Sequence, residues 1–128
     1  MTSAFPTVLI VDDNARNRKL AADVLRHAGF RTLEAATAAE AITAAARHVP
    51  DVILMDLRLP DLDGAMAVAM LRSEPRTAGI PVVAMTALPL EPGERWLADA
   101  GFAGYVAKPF DIDALPGLVR GIARRGGE

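Results

Sequence analysis

The stretch VLIVDDN, Val8 to Asn14, runs from apolar β-forming residues straight into two adjacent carboxylates. Alone it is weak evidence, because aspartate also caps the helix that often follows a strand. Its meaning depends on what the other strand ends carry.

Outward from this stretch, short β-branched runs alternate with segments of helical period. TVLIV, Thr7 to Val11, reads as a strand. Asn14 to Ala28 reads as a helix capped by Asn14 and closed by Gly29, with Leu20, Ala21, Val24, Leu25 and Ala28 on its inward face. RTLEA, Arg31 to Ala35, is a more polar strand, as suits a sheet edge. Thr37 opens an alanine-rich helix to about His48, with Ala38, Ile42 and Ala45 inward. Within DVILMD, Val52 to Met55 is fully apolar. A helix from Ala65 to Arg72, a strand in PVVAMT, a helix from Gly93 to Ala100 and a strand in GYVA follow.

The final helix falls between Asp111 and about Arg124, where Pro116 and Gly117 resist a regular start. A late start with Asp113 as cap, or a 3₁₀-like entry, puts Pro116 in the tolerant first turn. RRGGE reads as a frayed tail. Five strands alternating with five helices, the strands apolar on both faces, predict a doubly wound α/β parallel sheet covered on both sides. At 128 residues this is a single domain with its core at about residues 7–124.

Composition removes several function classes. Apolar residues make up 52% of the chain, yet the longest run, in IPVVAMTALPL, is broken by Pro81, Thr86 and Pro89. Nothing there spans a bilayer. MTSAFP lacks the basic and apolar regions of a signal peptide. The absence of cysteine rules out disulfide and thiol chemistry and fits a cytoplasmic location. A net charge of −2 with mixed signs offers no basic stripe for nucleic acid or a membrane surface.

Ligands of such a sheet bind beyond the carboxyl ends of its strands. There the first strand ends on Asp12 and Asp13, the third on Asp56, the fourth on Thr86 and the fifth on Lys108. Two carboxylates about 4 Å apart repel by about 4 kcal/mol at an effective dielectric near 20, so three of them demand protons or a cation. A few hard oxygen ligands suit Mg2+, which keeps several waters and pairs with phosphate. An aspartate can itself attack phosphorus and form an acyl phosphate. Asp56, ending the most apolar strand, is the candidate nucleophile, with Asp12 and Asp13 as metal holders. Lys108 is placed to act as a point charge on phosphoryl oxygens, and Thr86 to donate a hydrogen bond to them. Only two lysines occur against twelve arginines, which makes a lysine at this strand end telling.

VLIVDDN, DVILMDLRLPDLDG, IPVVAMTA and GYVAKPF together resemble the response-regulator receiver domain of two-component signalling. The spacings also resemble that family: 43 residues from Asp13 to Asp56, 30 on to Thr86 and 22 on to Lys108. The resemblance covers nearly the whole chain and implies a flavodoxin-like (βα)5 fold of strand order 2-1-3-4-5. It implies that Asp56 accepts phosphate from a sensor histidine kinase or a histidine phosphotransfer protein. Asp13 and Asp56 would hold Mg2+ with the Arg58 backbone carbonyl, Asp12 helping through water. Thr86 and Tyr105 would be the switch pair, and Lys108–Pro109 a cis peptide. The output face toward a downstream protein would be the fourth helix, fifth strand and fifth helix, with Trp96 and Tyr105 on it. The first helix would dock the phosphodonor. A stand-alone phosphorelay receiver, monomeric or weakly dimeric, is expected, and not a turnover enzyme. Leu88 offers nothing to orient an attacking water, so slow autodephosphorylation is expected; Pro89 and Pro92 stiffen the loop beyond Thr86.

Other readings predict different residues. A flavin-binding domain needs a Ser/Thr/Gly-rich phosphate loop after the first strand, where Asp12 and Asp13 repel phosphate. An Asp-nucleophile phosphatase carries acids two apart there and usually a cap domain. A degenerate receiver used only for protein interaction has no need of the full acid, threonine and lysine set. DLDG, Asp61 to Gly64, lacks the further ligands of a calcium loop and reads as a turn. His27 and His48 suit helix C-termini rather than metal or phosphotransfer roles.

Overall fold

A computed structural model describes residues 6–87, 94–108 and 111–126, with side chains described except at 94–96 and 124–126. The chain runs β1 (Thr7–Val11), α1 (Ala15–His27), β2 (Arg31–Ala35), α2 (Ala38–His48), β3 (Val52–Asp56), α3 (Gly64–Ser73), β4 (Val82–Thr86), α4 (Glu94–Ala100), β5 (Gly104–Ala107) and α5 (Leu115–Gly126). The strands form one parallel sheet of order β2-β1-β3-β4-β5. The polar second strand is indeed an edge, and the two fully buried strands, β3 and β4, lie inside.

Successive strand residues point to opposite faces, and both faces are covered. Leu9, Val11, Ile53, Met55, Val82 and Ala84 pack against residues of α2, α3 and α4. Val8, Ile10, Val52, Leu54, Val83, Met85 and Val106 pack against residues of α1 and α5. Each fully buried Val, Leu, Ile or Met side chain among these contributes about 1.5–3 kcal/mol of transfer free energy. Because all strands are parallel, every C-terminal strand end lies on one edge, which gathers the polar groups.

The helix caps follow the sequence. Asn14 accepts a hydrogen bond from the Asn17 N–H, and Thr37 from the Glu40 N–H. Gly29, at φ +100°, takes the left-handed position after α1 that a side chain resists. One inward face differs from expectation: on α1, Leu20 is exposed while Ala22 is buried beside Leu25. On α2, Ile42 packs against the core as expected, beside the fully buried Ala41.

The late start of the last helix holds, but its cap differs. Asp111 accepts from the N–H groups of Asp113 and Ala114, forming a separate turn, and the helix begins at Leu115 with Pro116 in its first turn. Asp113 is therefore not the cap. The Leu88, Pro89, Pro92 and Pro109 readings lie outside the described residues, and Trp96 lies outside the described side chains.

Candidate functional site

Beyond the sheet edge, Asp12 follows β1, Asp56 ends β3, Thr86 ends β4 and Lys108 follows β5. Asp12, Asp56 and Thr86 are buried, and Asp13 faces solvent. Lys108 and Asp12 stand 96 residues apart in sequence, yet the strand order joins them. The Lys108 ammonium donates to Asp12 Oδ2 and to Asp56 Oδ2, each at 2.8 Å. The backbone holds the lysine in place, its N–H donating to the Thr86 carbonyl at 2.8 Å.

The other oxygen of each buried carboxylate is also fixed. Asp12 Oδ1 accepts from the Asn14 N–H at 2.9 Å, and Asp56 Oδ1 from the Arg58 N–H at 3.0 Å. These are charge-assisted bonds, and they set the carboxylate planes before any ligand arrives. Burial works to lower the Lys108 pKa, but hydrogen bonds and charge from Asp12 and Asp56 outweigh it and raise it above its ordinary value.

Asp12, Asp13 and Asp56 each bring one carboxylate oxygen within 4.8 Å of the others. Three carboxylates against one ammonium leave a local charge of −2. Hard oxygen donors carrying that excess fit a divalent cation of the Mg2+ kind. Arg58 stands two residues beyond Asp56, its side chain exposed and its backbone paired with Asp63 in an isolated bridge. Tyr105, the second residue of β5, is 38% exposed, on the strand next to that of Thr86.

Several supporting residues escaped the sequence reading. Arg18, on α1, donates to the Asp12 carbonyl at 2.8 Å and pairs with Glu34 of β2 at 3.0 Å, bracing the end of β1. Asp63 caps α3 by accepting from the Met66 N–H. Gly64 lies so close to β3 that a Cβ there would stand 3.0 Å from Leu57 Cα and 3.3 Å from the Asp56 carbonyl oxygen. Asp61 accepts from the N–H groups of Ala38 and Ala39, each at 2.9 Å. Those two bonds hold its carboxyl below the usual carboxylate range. The D-x-x spacing ahead of α3 signals Asp63, whereas Arg18 and Asp61 act across the fold and leave no local pattern.

The profile of the response regulator receiver domain family matches residues 8–120. The polar-differentiation response regulator DivK of Brucella ovis is 34% identical over 83% of this chain and 86% of its own length. Among solved structures, a receiver domain of a Pseudomonas aeruginosa sensor histidine kinase, with a magnesium ion coordinated in its active-site cleft, is 34% identical. It superposes with a TM-score of 0.84 over 94% of this chain and 99% of that one. A response-regulator receiver domain from Francisella gives a TM-score of 0.86 at 28% identity, covering 94% and 98%.

Proposed function

Because the chain belongs to the response regulator receiver domain family, we propose that it is a phosphoacceptor, Asp56 taking a phosphoryl group from a histidine kinase or a histidine phosphotransfer protein. The observation that carries this reading is the Lys108 ammonium held equally by Asp12 and Asp56 at the rim of the acidic cluster. That arrangement neutralises part of the charge and leaves the cluster short of one divalent cation.

In the transfer an Asp56 carboxylate oxygen attacks the phosphorus of a phosphohistidine. The P–O bond forms as the P–N bond breaks, and the electron pair leaves with the imidazole, which is protonated from solvent. The Arg58 N–H orients the Asp56 carboxylate, and Lys108 offsets charge on the incoming phosphoryl oxygens. Thr86, buried at the end of the neighbouring strand, donates its hydroxyl to the same group, with Tyr105 on β5 following its movement. Asp13, Asp56 and the Arg58 backbone carbonyl would hold Mg2+, with Asp12 helping through water, and the ion would supply further positive charge against the phosphoryl oxygens. The chain acts as a stoichiometric acceptor rather than a turnover enzyme, and phosphorylation alters a protein-binding face formed by α4, β5 and α5.

Incubation with Mg2+ and a small acyl-phosphate donor, followed by intact mass, tests this. The wild type should gain one phosphoryl group, and Asp56→Asn or an EDTA control should gain none. No gain from the donor or from a panel of histidine kinases would leave a receiver used only for interaction.

A further inference from the structure

The β3–α3 loop carries Arg58, and it is tied at both ends. The Arg58 N–H bonds Asp56, and Arg58 pairs with Asp63 where α3 begins. Between these points the loop is fastened sideways by Asp61, whose two carboxylate oxygens accept from Ala38 and Ala39 of α2. With Thr37 accepting from Glu40, the first three N–H groups of α2 are all satisfied. An aspartate from 22 residues away thus completes a helix start that the helix's own cap leaves open.

This fastening is not needed to close the loop, because the Arg58–Asp63 bridge and the Asp63 cap already do so. What it adds is a fixed lateral position. Charge at a helix N-terminus is favourable, so the negative Asp61 is drawn to α2 and carries the loop with it. We propose that Asp61 is a positioning residue for the metal centre: by anchoring the loop on α2 it holds the Arg58 backbone where Mg2+ takes its carbonyl. The inference rests on the metal reading given under the proposed function. Groups that orient metal ligands typically change metal affinity about 10–100-fold when removed.

The test compares Mg2+ affinity by titration calorimetry with the melting temperature in EDTA, for wild type, Asp61→Ala, Asp61→Asn and Thr37→Ala. Thr37→Ala weakens the same helix start without touching the loop. Asp61→Ala should weaken Mg2+ binding about tenfold, and Thr37→Ala should stay within about twofold of wild type while also melting earlier. Asp61→Asn, which keeps an acceptor, should fall between wild type and Asp61→Ala. Wild-type affinity in Asp61→Ala would overturn the positioning role and leave the metal reading standing. An equal loss in Thr37→Ala would also overturn it, by assigning the effect to helix stability. Absence of Mg2+ binding in the wild type would overturn both readings.

Discussion

Replacing Lys108 with methionine removes the one ammonium shared by Asp12 and Asp56 and keeps most of its apolar stem. The two carboxylates then face each other with oxygens within 4.8 Å. At about 5 Å and an effective dielectric near 20, their repulsion is about 3 kcal/mol. Two charge-assisted hydrogen bonds are lost as well, though water reaching the partly open rim replaces some of them. The expected loss in EDTA at pH 7 is therefore about 3 kcal/mol, or about 10 °C in melting temperature for a domain of this size.

The sign of the pH response separates this account from simple loss of packing. In the wild type the raised Lys108 pKa contributes stability that is complete below the ordinary lysine range and fades only as pH rises through the raised value. Near neutral pH it is constant. Lys108→Met lacks that contribution, so its deficit should be the same at about pH 7 and about pH 8 and shrink only as pH rises through the raised lysine value. Mg2+ should also raise the melting temperature of the variant more than that of the wild type, the local charge having changed from −2 to −3. Thermal melts at both pH values, with EDTA and with Mg2+, decide the matter. A variant that melts within about 2 °C of wild type in EDTA would refute the claim that Lys108 neutralises the cluster.

Gly64→Ala should cost about 1–3 kcal/mol and slow phosphoryl uptake, because its Cβ would press on the Leu57 and Asp56 backbone; urea melts and intact mass report both. Val49→Gly should raise stability by about 1 kcal/mol in urea melts, since a half-exposed, β-branched residue at φ 45° gives up steric strain and little packing. Asp61 has a depressed folded pKa, so its contribution is present above the ordinary carboxylate range and lost as pH falls through that lower value. Asp61→Asn should accordingly flatten the acid limb of a stability–pH profile, and an unchanged limb would remove Asp61 from it.

The strands were legible because a buried parallel strand must be apolar on both faces, and VILM between Asp51 and Asp56 admits little else. Asn14 and Thr37 were legible as caps because capping is local chemistry. Leu20 misled because hydrophobic counting favours the larger residue, while the close approach of α1 to the sheet selects Ala22. The site divides in the same way. Asp12, Asp13, Asp56, Thr86 and Lys108 could be grouped without coordinates because a parallel sheet delivers every strand end to one edge. Arg18 and Asp61 could not, since their partners Glu34 and the start of α2 are neighbours only after the helices dock.

Under the proposed phosphoacceptor role, the equal sharing of Lys108 bears on how one site would serve before and after phosphorylation. Converting the Asp56 carboxylate to an acyl phosphate adds negative charge just where the ammonium already sits. Asp12 does not depend on the lysine alone, because its second oxygen is held by the Asn14 N–H and its carbonyl by Arg18. Asp12 can therefore stay in place as Lys108 turns further toward the phosphoryl oxygens. Asp56 likewise keeps the Arg58 N–H at its other oxygen. The charge that must move is thus confined to one flexible side chain anchored by its backbone to Thr86, the strand end proposed to sense the phosphoryl group. On the proposed reading, a rearrangement of Thr86 would pull on the lysine that compensates the new charge, coupling neutralisation to switching in part through the 2.8 Å bond from the Lys108 N–H to the Thr86 carbonyl.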